Sequence, residues 1–357
     1  MANKEIQLAI QIAGRIDKSL GNSIDVTKKE LRSLAIDVAR SQKEMTLSGA
    51  IDSMSDGIEG ITNRALGLTK AVAGAAVGAG AALTGLGAAA VNAGSDFESA
   101  FAGIRKTVDA TEQEYAALED SIRDMAKNMP MTASELAEIG ESAGQLGIHT
   151  ENLEDFIQTM ADLSVATNLT SEDAASQFAK FANITGMAQD QFDEMGSTVV
   201  ALGNNMATTE ADIMNMAMRL AGAGSQINMS VADILGYSAA LSSVGIEAEA
   251  GGSALSKVMV SMQLAVETGT EGLKDYANVA GMAAGEFQQL FKTDPSRALS
   301  AFISGLGDTD RLGKSAIAVL DEMGISEVRL RDTLLRAASA GDLFENSLRI
   351  ANEGFKK

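Results

Sequence analysis

The sequence predicts an all-α protein. It comprises a heptad-patterned helical N-terminal arm, an Ala/Gly-rich hydrophobic helix, and a compact multi-helix domain of short capped helices. The composition supports this class, because two prolines, no tryptophan and 4% aromatic residues among 357 favour helices over strands. Heptad spacing near the N-terminus and repeated helix-capping signals after residue 94 support it further. No cysteine is present, which excludes disulfides and thiolate metal sites.

The N-terminal arm, residues 1–70, carries apolar residues at the spacing of helices that pack side by side. Steps of four and three continue for three heptads through Leu47, Ile51, Met54, Ile58, Ile61, Ala65 and Leu68. Such a heptad seam predicts a coiled coil or helix bundle, since a solitary amphipathic helix has a wider apolar stripe. For residues 5–13 a short strand and a helix fit the pattern nearly equally, and both remain open.

Residues 71–93, AVAGAAVGAGAALTGLGAAAVNA, contain no charged side chain, and 11 of the 23 are Ala and five are Gly. The length suits a bilayer span, and Gly74 and Gly78 form a GxxxG motif that allows close helix packing in lipid. However, Leu83 and Leu86 are the only large aliphatic residues besides three valines. The free energy gained by inserting the segment into a bilayer is therefore small. Three interpretations remain open: a conditional membrane segment, a tightly packed small-residue helix or connector, and a constitutive transmembrane helix.

Residues 94–357 are predicted to form the compact domain, because helix start and stop signals recur along them. Ser95 with Glu98, Thr111 with Glu114 and Thr132 with Glu135 match the capping box, and Asp294 precedes a proline at the first helical position. Further starts are predicted at Thr150, Thr170, Thr208 and Ser230, with a weaker one near Gln189. Glycines at positions 147, 186, 203, 224, 245, 307, 324 and 341 are the predicted stops. The predicted core includes Phe156, Phe178, Phe181, Phe192, Ile234 and Leu235.

The charge pattern and the motifs exclude several functional classes. The net charge is −20, and residues 110–215 hold three basic against 19 acidic residues, which is the wrong sign for specific nucleic-acid binding. His149 is the only histidine and precedes a predicted helix start, so we interpret it as a loop residue. Neither G-x-S-x-G nor H-E-x-x-H occurs, and the glycine-rich run lacks a phosphate-binding pattern. The sequence therefore predicts a non-enzymatic protein without cofactor or metal.

Three stretches carry a resemblance to a known family: DFESAF at 96–101, SAGQLGI at 142–148 and GIEAEAGGSAL at 245–255. With the sequence between them, they resemble the shared N-terminal domain of phage tail tape measure proteins over about residues 92–357. The heptad arm and the Ala/Gly-rich segment before that domain are also similar to members of this family. These motifs identify a family without assigning roles to single residues.

The resemblance implies a structural protein in the lumen of a phage tail, where it templates tube assembly, sets tail length and leaves ahead of the DNA. Its implied partners are the tail tube protein, tail assembly chaperones, other copies of the chain and, on ejection, the host membrane. Its implied locations are the virion tail, the host cytoplasm during assembly and the host membrane during infection. Members are usually far longer, so we expect this chain to be a portion of a longer tape measure. In this context, residues 71–93 would be a segment released toward lipid on ejection.

Two other functional classes remain as alternatives. A secreted membrane-perturbing or pore-forming helical protein would share the amphipathic arm and the Ala/Gly-rich segment. A peptidoglycan hydrolase attached to a tail is the third hypothesis.

Overall fold

The computed structural model describes residues 95–309 and 313–356, and within these ranges it contains helices and no strand. This confirms the predicted all-α class. Residues Phe97–Lys357 form one compact unit. Its helices are α1, which includes residues 95–107, α2 (Glu112–Asn128), α3 (Ala133–Gln145), α4 (Thr150–Ala166), α5 (Ser171–Thr185), α6 (Phe192–Asn205), α7 (Glu210–Gln226), α8 (Val231–Ser243), α9 (Ser253–Thr268), α10 (Glu271–Ala280), α11 (Ala284–Thr293), α12 (Pro295–Gly307), α13 (Ala316–Glu322), α14 (Val328–Ala338) and α15 (Gly341–Gly354).

Two short irregular helical segments complete the chain path. A 3₁₀ turn, Gln189–Gln191, precedes α6, and a π-helical turn, Ala248–Gly252, leads into α9. Residues 1–94 lie outside the described part of the chain. The division into 1–70, 71–93 and 94–357, the heptad seam and the strand or helix at 5–13 therefore stay predictions.

Capping side chains determine where many of the helices begin. At α3 the Thr132 backbone N–H donates to Glu135 Oε2 over 2.7 Å, and the Glu135 N–H donates to Thr132 Oγ1 over 3.2 Å. The same reciprocal pair joins Thr111 and Glu114 at α2. These two capping boxes confirm the sequence prediction. Side-chain oxygens of Thr170, Ser230 and Asp294 also cap their helices, as predicted.

The predicted start at Thr150 is correct, whereas Thr208 and Ser95 are wrong as capping residues. Thr209, not Thr208, caps α7, and its Oγ1 accepts from the Asp212 N–H over 3.2 Å. Thr150 is the first helical residue of α4, and His149 occupies the N-cap position without a side-chain bond. Ser95 is itself helical, so it is not the cap of α1.

Six of the described helices end in the same left-handed turn followed by Ile or Met. A residue with positive φ, between 61° and 83°, terminates each helix, and the next backbone N–H donates to the carbonyl five residues earlier over 2.9–3.2 Å. This bond pattern is the Schellman motif, which glycine accommodates without strain. The positive-φ residues are Gly147, Gly186, Asn228, Gly245, Gly281 and Gly324. Four of these glycines were predicted as stops.

Of the other four predicted glycine stops, Gly203, Gly224 and Gly341 are wrong, whereas α12 does end at Gly307. Gly203 and Gly224 lie inside α6 and α7, whereas Gly307 is the last residue of α12 and Gly341 the first of α15. A Cβ atom at Gly224 would lie only 2.8 Å from Ile234 Cγ1. One at Gly307 would lie 2.6 Å from the Ala338 carbonyl oxygen. Small residues at these points allow neighbouring elements to approach closely.

Helix α8 lies at the centre of the unit, with α6, α7 and α15 packed around it. Its residues from Ile234 to Leu241 are all buried. The Tyr237 hydroxyl donates to the Ser296 carbonyl over 2.8 Å and lies 2.7 Å from Ser300 Oγ, so the buried phenol is fully satisfied. The predicted core residues Phe156, Phe178, Phe181, Phe192, Ile234 and Leu235 are all buried, which confirms that prediction.

Replacing Gly305 in α12 with alanine is expected to destabilise the domain. The added Cβ would lie 1.9 Å from the Val279 carbonyl oxygen, so α12 and α10 would have to separate. We expect a loss of about 2–3 kcal/mol in the free energy of unfolding. Thermal and chemical unfolding followed by circular dichroism would measure it. The matched control is Gly222→Ala in α7, where nothing lies within 4 Å and alanine should stabilise by up to about 1 kcal/mol. Equal effects of the two substitutions would contradict this packing.

The capping box of α3 is expected to contribute stability that is lost in acid. The Thr132 backbone N–H, and secondarily its hydroxyl, stabilise the Glu135 carboxylate and lower the pKa of Glu135 below its usual 4.5. A lowered folded-state pKa contributes stability above the unfolded value, and this is lost as the pH falls below about 4.5. Glu135→Gln should therefore reduce the fall in melting temperature between pH 6 and pH 3. Glu138→Gln, which removes an exposed carboxylate from the same helix without touching the cap, should leave that fall unchanged.

Candidate functional site

The residues that the sequence predicted for helix packing or membrane contact lie outside the described residues. These are Gly74, Gly78, Leu83 and Leu86 of the Ala/Gly-rich segment and Leu47, Ile51, Met54, Ile58, Ile61 and Leu68 of the heptad seam. Within 95–309 and 313–356, no helix combines the length and apolarity needed to cross a membrane.

The single histidine has a structural position. His149 is exposed at the N-cap of α4, and its backbone N–H donates to Gln189 Oε1 over 2.8 Å. Gln189 in turn donates to the Gly147 carbonyl over 3.0 Å, so these bonds tie the α3–α4 turn to the segment before α6. This arrangement agrees with the interpretation of His149 as a loop residue.

Glu119, Asp321 and Glu322, which each have a carboxylate neighbour in sequence, form ion pairs at the surface. Glu119 pairs with Arg123 over 2.5 Å, and Glu322 pairs with Lys314 over 2.5 Å. Asp321 pairs with Arg331. Across the described ranges, no three His, Cys, Asp or Glu side chains are grouped closely enough to hold a metal ion. These contacts fix the surface of the domain and do not form a reaction centre.

An open acidic groove of about 630 Å³ lies between α2 and α4. Its lining residues are Ala117, Ser121, Asp124, Met125, Asn128, Met129, Glu154, Gln158 and Asp162. Each carboxylate already has a partner, because Lys127 contacts Asp124, Ser121 donates to Glu154, and Gln158 Nε2 donates to Asp162 over 2.8 Å. The groove is therefore a polar, solvated surface whose groups are satisfied within the domain.

Two arginine side chains in this half of the domain pack against aromatic rings. The Arg123 guanidinium lies 4.5 Å from the Phe97 ring centroid, and that of Arg105 lies 4.6 Å from the Tyr115 ring centroid. These cation–π contacts hold α1 against α2. Residues 110–215 hold three basic against 19 acidic residues, so the surface formed by α2 to α6 is strongly acidic.

A surface that the sequence did not reveal lies on α9. Val260 and Leu264, one turn apart, are 48% and 59% exposed, whereas the opposite face of this helix is buried in the core. The Lys257 ammonium, on the same exposed face, pairs with Glu327 of the loop before α14 over 2.7 Å. Next to Glu327, Val328 is 79% exposed. Apolar residues occupy both faces of α9, so periodicity alone could not show which of them faces solvent.

The described residues form ion pairs, a polar groove and an exposed apolar face. Comparison with known proteins agrees with a structural role. The sequence profile described as "Phage-related minor tail protein" matches residues 119–344, which run from α2 into α15 and cover more than half of the chain. The chain belongs to this family. Its members are phage tail proteins, which indicates a location in the virion tail.

A relative with a printed name supports the tape measure resemblance. The chain is 20% identical over 239 residues to a "Probable tape measure protein" of Halomonas phage phiHAP-1. The match covers 63% of this chain and 28% of that relative. No solved structure gives a significant match to the chain. The resemblance to a tape measure-related family, predicted from DFESAF, SAGQLGI and GIEAEAGGSAL, is confirmed by the profile and by this relative.

Proposed function

We propose that this chain acts as a tape measure protein, which templates assembly of the tail tube and sets tail length. The observation that carries the proposal is the 239-residue match to a probable tape measure protein, combined with the tail-family profile over 119–344. The comparisons reach only as far as a structural tail role. Templating, length control and DNA delivery are our extension of it.

The physical basis of length control is the constant rise of a helix. A helix advances about 1.5 Å per residue, so a rod of fixed residue number has a fixed length. The compact domain α1–α15 is too folded to serve as such a rod. We therefore assign the ruler property to heptad-patterned segments of the kind predicted at 47–68, and an anchoring role to the folded domain.

The proposed partners follow from this assignment. The tail tube protein would surround the helical segments, tail assembly chaperones would keep them dispersed before assembly, and further copies of the chain would pair along the heptad seam. The acidic surface of α2–α6 would keep the folded domain soluble and apart from DNA, because like charges repel. We place the chain in the tail lumen of the virion and in the host cytoplasm during assembly.

We further propose that residues 71–93 enter the host membrane when the tail contents are ejected. Before ejection, close helix packing through Gly74 and Gly78 would cover the segment. Its low content of Leu, Ile, Phe and Val makes insertion only weakly favourable, so occupation of the bilayer would depend on release from packing.

Length control predicts that added heptads lengthen the tail. Duplicating residues 47–67, three heptads, in the gene carried by its phage or prophage should extend the tail by roughly 32 Å, since 21 residues each add 1.5 Å. The mean tail length from electron micrographs of many particles would measure this. The control inserts 21 Gly/Ser residues between Gly269 and Thr270, an exposed turn outside the seam. Tails unchanged by the duplication would contradict length control by this segment.

Conditional insertion predicts that a peptide of residues 71–93 becomes helical on vesicles. Circular dichroism with liposomes of anionic and neutral lipid should show helix formation in at least one mixture and none in buffer. The matched peptide with Leu83→Gln and Leu86→Gln should bind more weakly, because it loses the largest aliphatic side chains. A peptide that stays unbound and non-helical with every lipid and pH would refute the membrane role.

Two further measurements separate the proposal from the alternative classes. Purification of the tagged full chain from a lysate containing the phage should bring down the tail tube protein. Dye release from vesicles by the purified chain without other tail components would instead indicate a pore-forming protein. Clearing of peptidoglycan in a zymogram would indicate a hydrolase.

A further inference from the structure

We infer that the exposed face of α9 is a self-association surface on which a second copy packs antiparallel. The exposed residues Lys257, Val260, Leu264 and Glu267 follow one another at steps of three, four and three. This is the a/d spacing of helices that pack side by side. Buried residues such as Leu255, Met259 and Met262 form the opposite face of the helix. The exposed row of four residues, here called the α9 seam, is therefore separate from the face that packs on the core.

The order of residues along the seam identifies the occupant. Its midpoint falls at Met262, with Val260 and Leu264 at equal distances on either side and Lys257 and Glu267 farther out. In an antiparallel pair related by a two-fold axis, Val260 of one copy therefore faces Leu264 of the other. Lys257 likewise faces Glu267 of the second copy, twice by symmetry. A two-fold interface requires a self-complementary patch of this kind.

A parallel arrangement would be less favourable on the same face. It would place Lys257 beside Lys257 and Glu267 beside Glu267, and like charges directly opposed repel each other. The antiparallel register replaces both repulsions with attractions. Charge complementarity thus determines orientation, while the two Val260–Leu264 contacts supply the apolar centre.

The surroundings of the seam are compatible with a second helix. Lys257 and Glu327 keep 58% and 52% of their side chains exposed in their ion pair, so the Lys257 ammonium has room for a second carboxylate. Val328, beside Glu327, adds exposed apolar area next to the start of the seam. The chain carries a charge of −20, and repulsion between two copies makes the association weak. Covalent trapping is therefore a sharper test than a sizing column.

The full chain has no cysteine, so single cysteines can be placed without removing others. Full-length Val260→Cys and Leu264→Cys variants are oxidised with copper–phenanthroline separately and as an equal mixture. The antiparallel pair brings position 260 of one copy against position 264 of the other, so the mixture should give at least about threefold more disulfide-linked dimer than either variant alone. Val165→Cys, at an exposed apolar position on α4, reports random collision.

Two outcomes of the trapping experiment would overturn the inference. If the mixture gives no more dimer than Val165→Cys, the face does not bind a second copy and has another occupant. If each variant alone cross-links better than the mixture, the copies pair in parallel.

A charge exchange tests the register independently. Glu267→Lys, introduced into both cysteine variants, places a lysine opposite Lys257 of the second copy and should reduce the trapped dimer by roughly threefold. Adding Lys257→Glu restores opposite charges and should restore the dimer, although it also removes the ion pair with Glu327. Melting curves of each variant verify that the domain remains folded. If the double exchange does not recover the dimer while the fold is intact, the proposed pairing is wrong.

Discussion

The close approach of α15 to α8 is the contact on which the rest of the fold depends. A Cβ atom at Gly236 would lie 3.2 Å from Leu348 Cα, so the two helices meet nearly backbone to backbone. The Tyr237 and Phe344 rings pack beside this point with centroids 5.4 Å apart. At the far end of α15, Gly354 approaches Thr198 of α6 in the same way. The last helix of the unit thereby covers the central one, and residues far apart in sequence become a single core.

Large aromatic and aliphatic side chains are used in the core, and some carboxylates on the outer faces cap helices or form ion pairs. The remaining negative charge faces solvent. Exposed apolar residues are few, so the adjacent pair on α9 stands out as the place where a further helix finds both apolar contact and matching charges.

The chain belongs to a family of phage-related minor tail proteins. The N-terminal quarter of the chain, residues 1–93, has a different composition, with heptads and an uncharged Ala/Gly-rich segment. In our proposal, the folded domain recognises other tail components. The segments before it set length and contact lipid.

The sequence alone determined the all-α class, many helix starts, and the helix ends at Gly147, Gly186, Gly245 and Gly324. These features depend on bonds within one turn, such as Thr132 with Glu135, so neighbouring residues suffice to predict them. Only the tertiary structure decided the roles of Gly203, Gly224, Gly305 and Gly307, and it alone showed which apolar face of α9 remains exposed. A glycine that ends a helix and one that admits a neighbouring backbone look alike in sequence. The difference lies in atoms that the fold brings near from distant parts of the chain.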